Sequence, residues 1–362
     1  MAIKIGFSTS VCPDWDIHAI VEHANEMGFY GVELGTVRDE MHLPAAEDLQ
    51  SDKDIDAVRK LFEDNSVELV SLVSIYAFDA KEPHIRRRSF ERTVENIELA
   101  EKLGCRLVRL PLGAPVGREP VEQCLARQVP HLSELARIAS RKKVTLLATN
   151  SPGFPSSRAV WFEVDGVSHP GLRAAWNPVL GMSCGEASTV AVPRLGARIR
   201  QIQAADASFN PDGRFVAYQP IGSGAINYDK TIDLLKGLLF DGYLMLDWPQ
   251  VRAENIPGPQ EALPAALNHL LERIKLVEPE LTAYKKDKNA PNYAAAKPAF
   301  VQRQVAKAAV AEGGDDAAEA GEADAGGGDV KPRVAKGGDP KIAALVAEAV
   351  RKVRAARAAR GG

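Results

Sequence analysis

The sequence lacks closely spaced cysteines and long apolar runs. Its four cysteines lie far apart and form no Cys-x-x-Cys pair, so neither a zinc ribbon nor a redox dithiol is encoded. We therefore expect a reducing, cytoplasmic compartment. The longest apolar runs, such as Val144–Ala148, are far shorter than the roughly 20 residues of a membrane span, and we expect no secretory signal. The cysteines are Cys12, Cys105, Cys124 and Cys184.

Strong positive charge is also missing from most of the chain. The net charge is −3, but residues 281–362 contain 15 basic and 10 acidic residues, which is a net charge of +5. Residues 1–280 therefore contain 30 basic and 38 acidic residues, which is a net charge of −8. Because phosphate contacts need clustered cations, we do not expect this acidic body to bind nucleic acid, and nothing in it indicates a membrane partner.

The first 280 residues repeat one pattern, in which a short β-branched run is followed by a polar turn and an amphipathic segment of helical period. Eight such strands predict a single (β/α)₈ TIM barrel over residues 1–280. An open doubly wound sheet is the alternative, and it is disfavoured because no Gly-x-Gly-x-x-Gly follows the first strand. The predicted strands are Ile3–Thr9, Tyr30–Leu34, Glu68–Ser74, Arg106–Leu110, Val144–Ala148, Leu172–Trp176, Ile199–Ala204 and Tyr243–Asp247.

The composition changes after Glu280. Residues 281–338 predict a disordered linker of alanine, glycine and acidic residues, because such a segment buries too little apolar surface to offset its ordering entropy. Residues 339–362 predict a short basic amphipathic helix, with Asp339 as its cap. We expect this tail to be dispensable for folding. It is either a solvated extension, or a segment for self-association or for docking on a protein partner or on an acidic surface, including nucleic acid.

Function in such a barrel resides at the carboxyl ends of the strands. The carboxylates predicted there are Glu33, Asp206 and Asp247, and each is a candidate general base. Arg109 either stabilises an oxyanion or phosphate of a substrate, or forms an ion pair with a neighbouring carboxylate. Gly222 and Gly224 either present backbone N–H groups to a phosphate or form a tight turn. The remaining predicted substrate-binding residues are Asn150, Asn177 and Gln203.

Five segments of the chain carry a family resemblance, and they occur in the right order: Ser8–Trp15, Gly28–Leu34, Asn96–Leu110, Tyr218–Gly224 and Phe240–Trp248. They resemble the sugar phosphate isomerase/epimerase family of xylose-isomerase-like TIM barrels. The resemblance covers residues 3–280 and implies a divalent metal, Mn²⁺, Mg²⁺ or Zn²⁺, held by four side chains at strand ends.

The sequence departs from this family at each expected metal ligand. Where the family has Glu, Asp, His and Glu, the matched positions are Ala148, Asn177, Gln203 and Asp247. Hard cations prefer carboxylate oxygens, and this set retains one carboxylate. We therefore expect the inherited metal site to be degraded and no metal cofactor to be bound.

Two functions from different classes remain open. The first is a sugar isomerase or epimerase that acts on a small sugar, polyol or sugar phosphate, by metal-independent proton transfer. The second is an inactive pseudoenzyme that binds a sugar or a protein partner. A third and weaker hypothesis, a nucleic-acid enzyme of the related apurinic endonuclease type, requires a histidine-rich zinc cluster that the predicted strand ends lack.

Overall fold

The computed structural model describes residues 3–286, and the side chains of residues 3–276. Eight parallel strands close into a barrel, which confirms the predicted fold. The barrel strands are β1 Lys4–Ser8, β2 Gly31–Leu34, β3 Glu68–Val73, β4 Leu107–Pro111, β5 Thr145–Thr149, β6 Leu172–Trp176, β7 Ile199–Ala204 and β10 Tyr243–Leu246. Each end of an observed strand lies within one residue of its predicted position. The strands neighbour one another in the order β1-β10-β7-β6-β5-β4-β3-β2.

Helices surround the barrel, and local sequence signals fix their ends. In the first helix, the Asp16 carboxylate accepts a hydrogen bond from the backbone N–H of Ala19 at 2.8 Å, and Gly28 ends the helix at a φ of 79°. The buried side of this helix consists of its apolar residues at helical spacing, which pack on the strands. The helices of the described residues are α1 Ile17–Met27, α2 Asp52–Asp64, α3 Pro83–Leu103, α4 Val121–Arg141, α5 Ser157–Val167, α6 Pro178–Ser183, α7 Ser188–Leu195, α8 Tyr228–Gly237 and α9 Pro259–Lys286.

A short antiparallel hairpin, which the sequence analysis did not predict, follows directly after β7. Its strands are β8 Asp206–Phe209 and β9 Phe215–Gln219, and the turn between them contains Gly213 at a φ of 79°. The turn Asn210-Pro-Asp-Gly213 is a recognisable hairpin signal between two short strands. The hairpin therefore extends the chain beyond the carboxyl end of β7, on the side of the barrel where the strand-end residues lie.

The last helix extends beyond residue 280, the predicted end of the barrel domain. α9 continues to Lys286 and so includes the first six residues of the predicted linker. The remainder of that linker and the predicted helix of residues 339–362 lie outside the described residues. Within the described part of the chain, no helix is both long enough and apolar enough to cross a membrane.

One carboxyl group is buried in the layer between barrel and helices without any partner. Glu163 of α5 is fully buried, and neither of its side-chain oxygens makes a hydrogen bond within the described structure. Burial raises the pKa of Glu163 well above its ordinary value, because a charged carboxylate is poorly solvated there. The folded chain therefore holds Glu163 in its neutral form over a range of pH in which the unfolded chain ionises it.

We predict that Glu163 makes the fold less stable as the pH rises. Above the unfolded-state pKa of about 4.3, the native state binds the proton more strongly than the unfolded state, so the free energy of unfolding should fall by up to about 1.4 kcal/mol per pH unit. This loss continues until the pH reaches the raised native pKa. Glu163→Gln should remove this decrease in the free energy of unfolding with rising pH, as measured by urea unfolding at pH 5, 6 and 7. Glu22→Gln on the exposed side of α1 is the matched control. Equal pH slopes in the wild type and Glu163→Gln would contradict the prediction.

Candidate active site

Glu33 lies inside the barrel and is bound by side chains from three other strands. Its Oε2 accepts hydrogen bonds from Ser71 Oγ of β3 at 2.7 Å and from Gln201 Nε2 of β7 at 2.6 Å. Arg109 of β4 donates to it from Nε, at 3.2 and 3.1 Å from the two oxygens, and from Nη2 at 2.5 Å from Oε1. The side chain of Glu33 is 0% exposed. Burial by itself would raise its pKa, but the Arg109 charge and these hydrogen bonds lower the pKa of Glu33 below its ordinary value.

Arg109 also binds Asp247, which follows β10 directly. The same Nη2 atom that contacts Glu33 lies 2.9 Å from Asp247 Oδ2, and Ser10 Oγ donates to Asp247 Oδ1 at 2.5 Å. Of the ion pair and substrate-binding roles left open for Arg109, the ion pair is therefore present. It joins two carboxylates to one guanidinium, so the cluster carries one uncompensated negative charge.

Asp247 differs from Glu33 in its access to solvent and in its pKa. Its side chain is 13% exposed, whereas Glu33 is fully enclosed. Burial and the negative charge of Glu33 together outweigh the attraction of Arg109, so the pKa of Asp247 is raised. Asp247 is thus a reachable carboxylate with a strengthened affinity for a proton, which is the property required of a general base.

The third predicted carboxylate, Asp206, lies in a different environment. Its two oxygens accept hydrogen bonds from four backbone N–H groups, those of Ala207 at 2.9 Å, Gly222 at 2.9 Å, Gly224 at 3.0 Å and Ile226 at 3.0 Å. The N–H groups of Gly222 and Gly224 are therefore directed at Asp206, and the structure brings these three residues together into the turn that follows the hairpin. Gly222 has a φ of 87°, a conformation that favours glycine.

The side chains of Asn150 and Asn177 also make hydrogen bonds to backbone groups. Asn177 caps α6, since its Oδ1 accepts from the N–H groups of Val179 at 3.0 Å and Leu180 at 3.2 Å. Asn150 Oδ1 accepts from the N–H of Asn177 at 2.8 Å, and its Nδ2 donates to the Asn177 carbonyl at 3.0 Å and the Pro155 carbonyl at 2.9 Å. Both amides therefore fix the loops at the ends of β5 and β6, and their predicted role in substrate binding stays a prediction.

Gln203 is directed into the barrel. Its Oε1 lies 3.5 Å from Thr149 Oγ1, and its Nε2 is buried without a hydrogen-bond partner among the described residues. The Oγ of Ser8 is buried and unpartnered in the same way. Buried polar atoms are normally hydrogen-bonded, so the lack of a partner for these two groups within the described residues is unusual.

The comparisons with known proteins place this barrel in a family. Residues 21–273 match the xylose isomerase-like TIM barrel family. The chain belongs to this family. Similar solved structures include L-ribulose 3-epimerase (TM-score 0.65, 13% identity, 80% of this chain and 100% of that one). A D-tagatose 3-epimerase-like protein is also similar, with a TM-score of 0.62, 20% identity, and coverage of 77% of this chain and 100% of that one. The IOLI protein with a bound zinc atom has a TM-score of 0.64, 16% identity, and coverage of 75% of this chain and 98% of that one.

At these identities the likeness to solved structures shows the fold alone. A search of curated proteins finds no match to this chain.

The metal that the family resemblance implies can be tested against the donors at the strand ends. At the end of β5, Thr149 rather than Ala148 is the residue that contacts Gln203 across the barrel. β5 and β7 are not neighbours, so such a contact is made inside the barrel, and the preceding Ala148 faces the opposite side and packs in the outer core. The inward set is therefore Thr149, Asn177, Gln203 and Asp247.

This inward set does not fit a divalent ion. It contains one carboxylate, that of Asp247, and Arg109 already binds it. The Asn177 oxygen caps a helix, and neither Thr149 nor Gln203 supplies charge. Within the described residues, no group of three or more His, Cys, Asp or Glu side chains is arranged to hold a metal ion.

Sequence reasoning missed Ser10, Ser71 and Gln201. Gln201 precedes Gln203 by two residues in β7, so strand alternation places both on the same face and could have identified it. Ser71 lies at an irregularity in the pairing of β2 with β3, where the register shifts, and simple alternation fails there. Ser10 lies in the short 3₁₀ helix after β1, where no periodic signal applies.

We predict that Asp206 is needed chiefly for stability. Asp206→Ala removes the acceptor of four backbone donors and should lower the free energy of unfolding by at least about 3 kcal/mol. Chemical denaturation measures this loss, and Asp212→Ala in the exposed hairpin turn is the control. A loss below about 1 kcal/mol would show that the turn does not depend on this carboxylate.

Proposed function

We propose that this protein binds a small sugar, polyol or sugar phosphate at the carboxyl end of the barrel and moves a proton on it without a metal. The observation that carries this proposal is the pairing of Asp247, reachable and with a raised pKa, with the Arg109 guanidinium at 2.9 Å. A base beside a fixed positive charge is the arrangement that deprotonation next to a carbonyl group requires.

The proposed proton transfer involves only the substrate and the Asp247 carboxylate. The Asp247 carboxylate takes the proton from the carbon next to the substrate carbonyl. The electron pair of the broken C–H bond forms a C=C bond, and the carbonyl oxygen becomes negatively charged. Return of the proton to the former carbonyl carbon, together with transfer of the neighbouring hydroxyl proton to the former carbonyl oxygen, gives an isomer. Return of the proton to the opposite face of the original carbon, after the planar intermediate has turned over above Asp247, gives an epimer.

Arg109 supplies the compensating charge in this step. Its Nε and Nη2 atoms bind the two carboxylates, while its Nη1 atom makes no hydrogen bond within the described residues. The side chain is 13% exposed, so the Nη1 donors are available to a substrate oxygen. Guanidinium remains charged at all accessible pH values, which suits a group that stabilises an oxyanion. Glu33 is fully enclosed and serves to position Arg109.

A sugar-binding pseudoenzyme is the second candidate. It is favoured by the fact that both Asp247 oxygens already have donors, Ser10 and Arg109, which weakens a carboxylate as a base. The unpartnered Gln203 Nε2 and Ser8 Oγ would then contribute only to binding. The neighbours named as sugar epimerases support a sugar ligand in either case.

The experiment that tests the proposal measures proton exchange. Aldoses, ketoses and their phosphates are incubated with the protein in D₂O with EDTA, and NMR follows loss of the C–H signal next to the carbonyl. We expect exchange with at least one sugar, and a rate at least about 100-fold lower in Asp247→Asn. Asp212→Asn, in the exposed hairpin turn, is the matched control and should exchange like the wild type.

The pH dependence provides a further check. Asp247 acts in its ionised form, so kcat/KM should fall as the pH drops below its raised pKa, which lies above the ordinary aspartate value of about 3.9. Saturable binding without exchange would favour the pseudoenzyme, and neither binding nor exchange across the panel would overturn the proposal.

A further inference from the structure

We propose that the Arg109 guanidinium occupies the position between Glu33 and Asp247 that a divalent metal ion would otherwise take. The inference concerns cation binding alone and holds for either candidate function. It predicts that the wild-type site excludes divalent metals and that removal of Arg109 exposes a metal site.

The geometry places one nitrogen between two carboxylates. Arg109 Nη2 lies 2.5 Å from Glu33 Oε1 and 2.9 Å from Asp247 Oδ2. A Mg²⁺, Mn²⁺ or Ca²⁺ ion binds carboxylate oxygens at about 2.0–2.6 Å. Two oxygens that contact the same small donor atom are therefore close enough for a single ion to bridge them after a small shift.

Further side chains with oxygen donors contact the other oxygen of each carboxylate, Glu33 Oε2 and Asp247 Oδ1. Gln201, which donates through Nε2 to Glu33, has a buried Oε1 with no hydrogen-bond partner among the described residues. Ser71 Oγ lies 2.7 Å from Glu33 Oε2, and Ser10 Oγ lies 2.5 Å from Asp247 Oδ1. Carboxylate, amide and hydroxyl oxygens are the donor types that hard divalent cations prefer. The unpartnered Gln201 oxygen is an observation independent of the carboxylate pair.

The charges explain why the metal is excluded while Arg109 is present. With the guanidinium in place the cluster has a net charge of −1, and a divalent ion would have to enter within a few ångströms of a fixed positive charge. Without Arg109 the two carboxylates carry a charge of −2, which one divalent ion neutralises. Because guanidinium does not deprotonate in proteins, Arg109 keeps its positive charge between the two carboxylates at every pH at which the protein is folded.

The test is a metal titration that uses no sugar, so its failure is distinguishable from failure of the proposed function. Mn²⁺ is added to the full chain in the wild type, Arg109→Ala, Arg109→Lys and the double variant Arg109→Ala with Asp247→Asn. Binding is measured by electron paramagnetic resonance of free Mn²⁺ and by thermal unfolding. Arg109→Lys keeps the positive charge, and the double variant removes one of the two carboxylates.

We expect no binding and no thermal shift up to 1 mM Mn²⁺ in the wild type and Arg109→Lys. Without metal, Arg109→Ala should have a lower melting temperature than the wild type. It should bind one Mn²⁺ at a Kd of about 10 μM or below. At 100 times that Kd, its unfolding equilibrium constant should fall about 100-fold. The double variant should bind at least 10-fold more weakly than Arg109→Ala.

Arg109→Gln, a neutral side chain of similar length, is measured alongside in case Arg109→Ala does not fold without metal. Refolding of either variant only in the presence of Mn²⁺ supports the proposal. Stoichiometric Mn²⁺ binding by the wild type, or no response to Mn²⁺ in both neutral variants, would overturn it.

Discussion

A guanidinium held between two carboxylates inside the barrel is the interaction on which the rest of the site depends. Glu33 is fully enclosed, and a carboxylate at such a position is stable in its charged form only with a cation and hydrogen bonds around it. Arg109 supplies the cation, while Ser71 and Gln201 complete the hydrogen bonding. The cluster thereby ties the strands β2, β3, β4 and β7 to the start of the loop after β10, and removing one partner of such a pair typically costs about 3–5 kcal/mol.

The fold was predictable because its signals are local. Apolar periodicity, the Asp16 cap and the Gly28 stop lie within a few residues of the elements they define, and the barrel strands follow from them. The charge cluster was predictable only as one of two possible roles of Arg109. Its partners lie 76 residues before it and 138 residues after it, and which carboxylate reaches the guanidinium is decided by barrel closure.

The polar residues at the strand ends fall into two groups that the sequence cannot separate. Asp206, Asn150 and Asn177 hold backbone groups of the loops, whereas Glu33, Arg109 and Asp247 hold one another. Both groups consist of the same residue types in the same kind of position. The choice between Ala148 and Thr149 as the inward residue has a similar origin, because a motif match does not determine which of two consecutive strand residues faces inward.

The backbone contacts of Asp206 affect how related sequences are interpreted. Its carboxylate organises the turn after the hairpin, so a barrel without any catalytic activity would still be stabilised by an acidic residue there. Retention of that aspartate in a distant sequence is therefore explained by the loop alone. The proposed function rests instead on Asp247, the carboxylate of the cluster that solvent can reach.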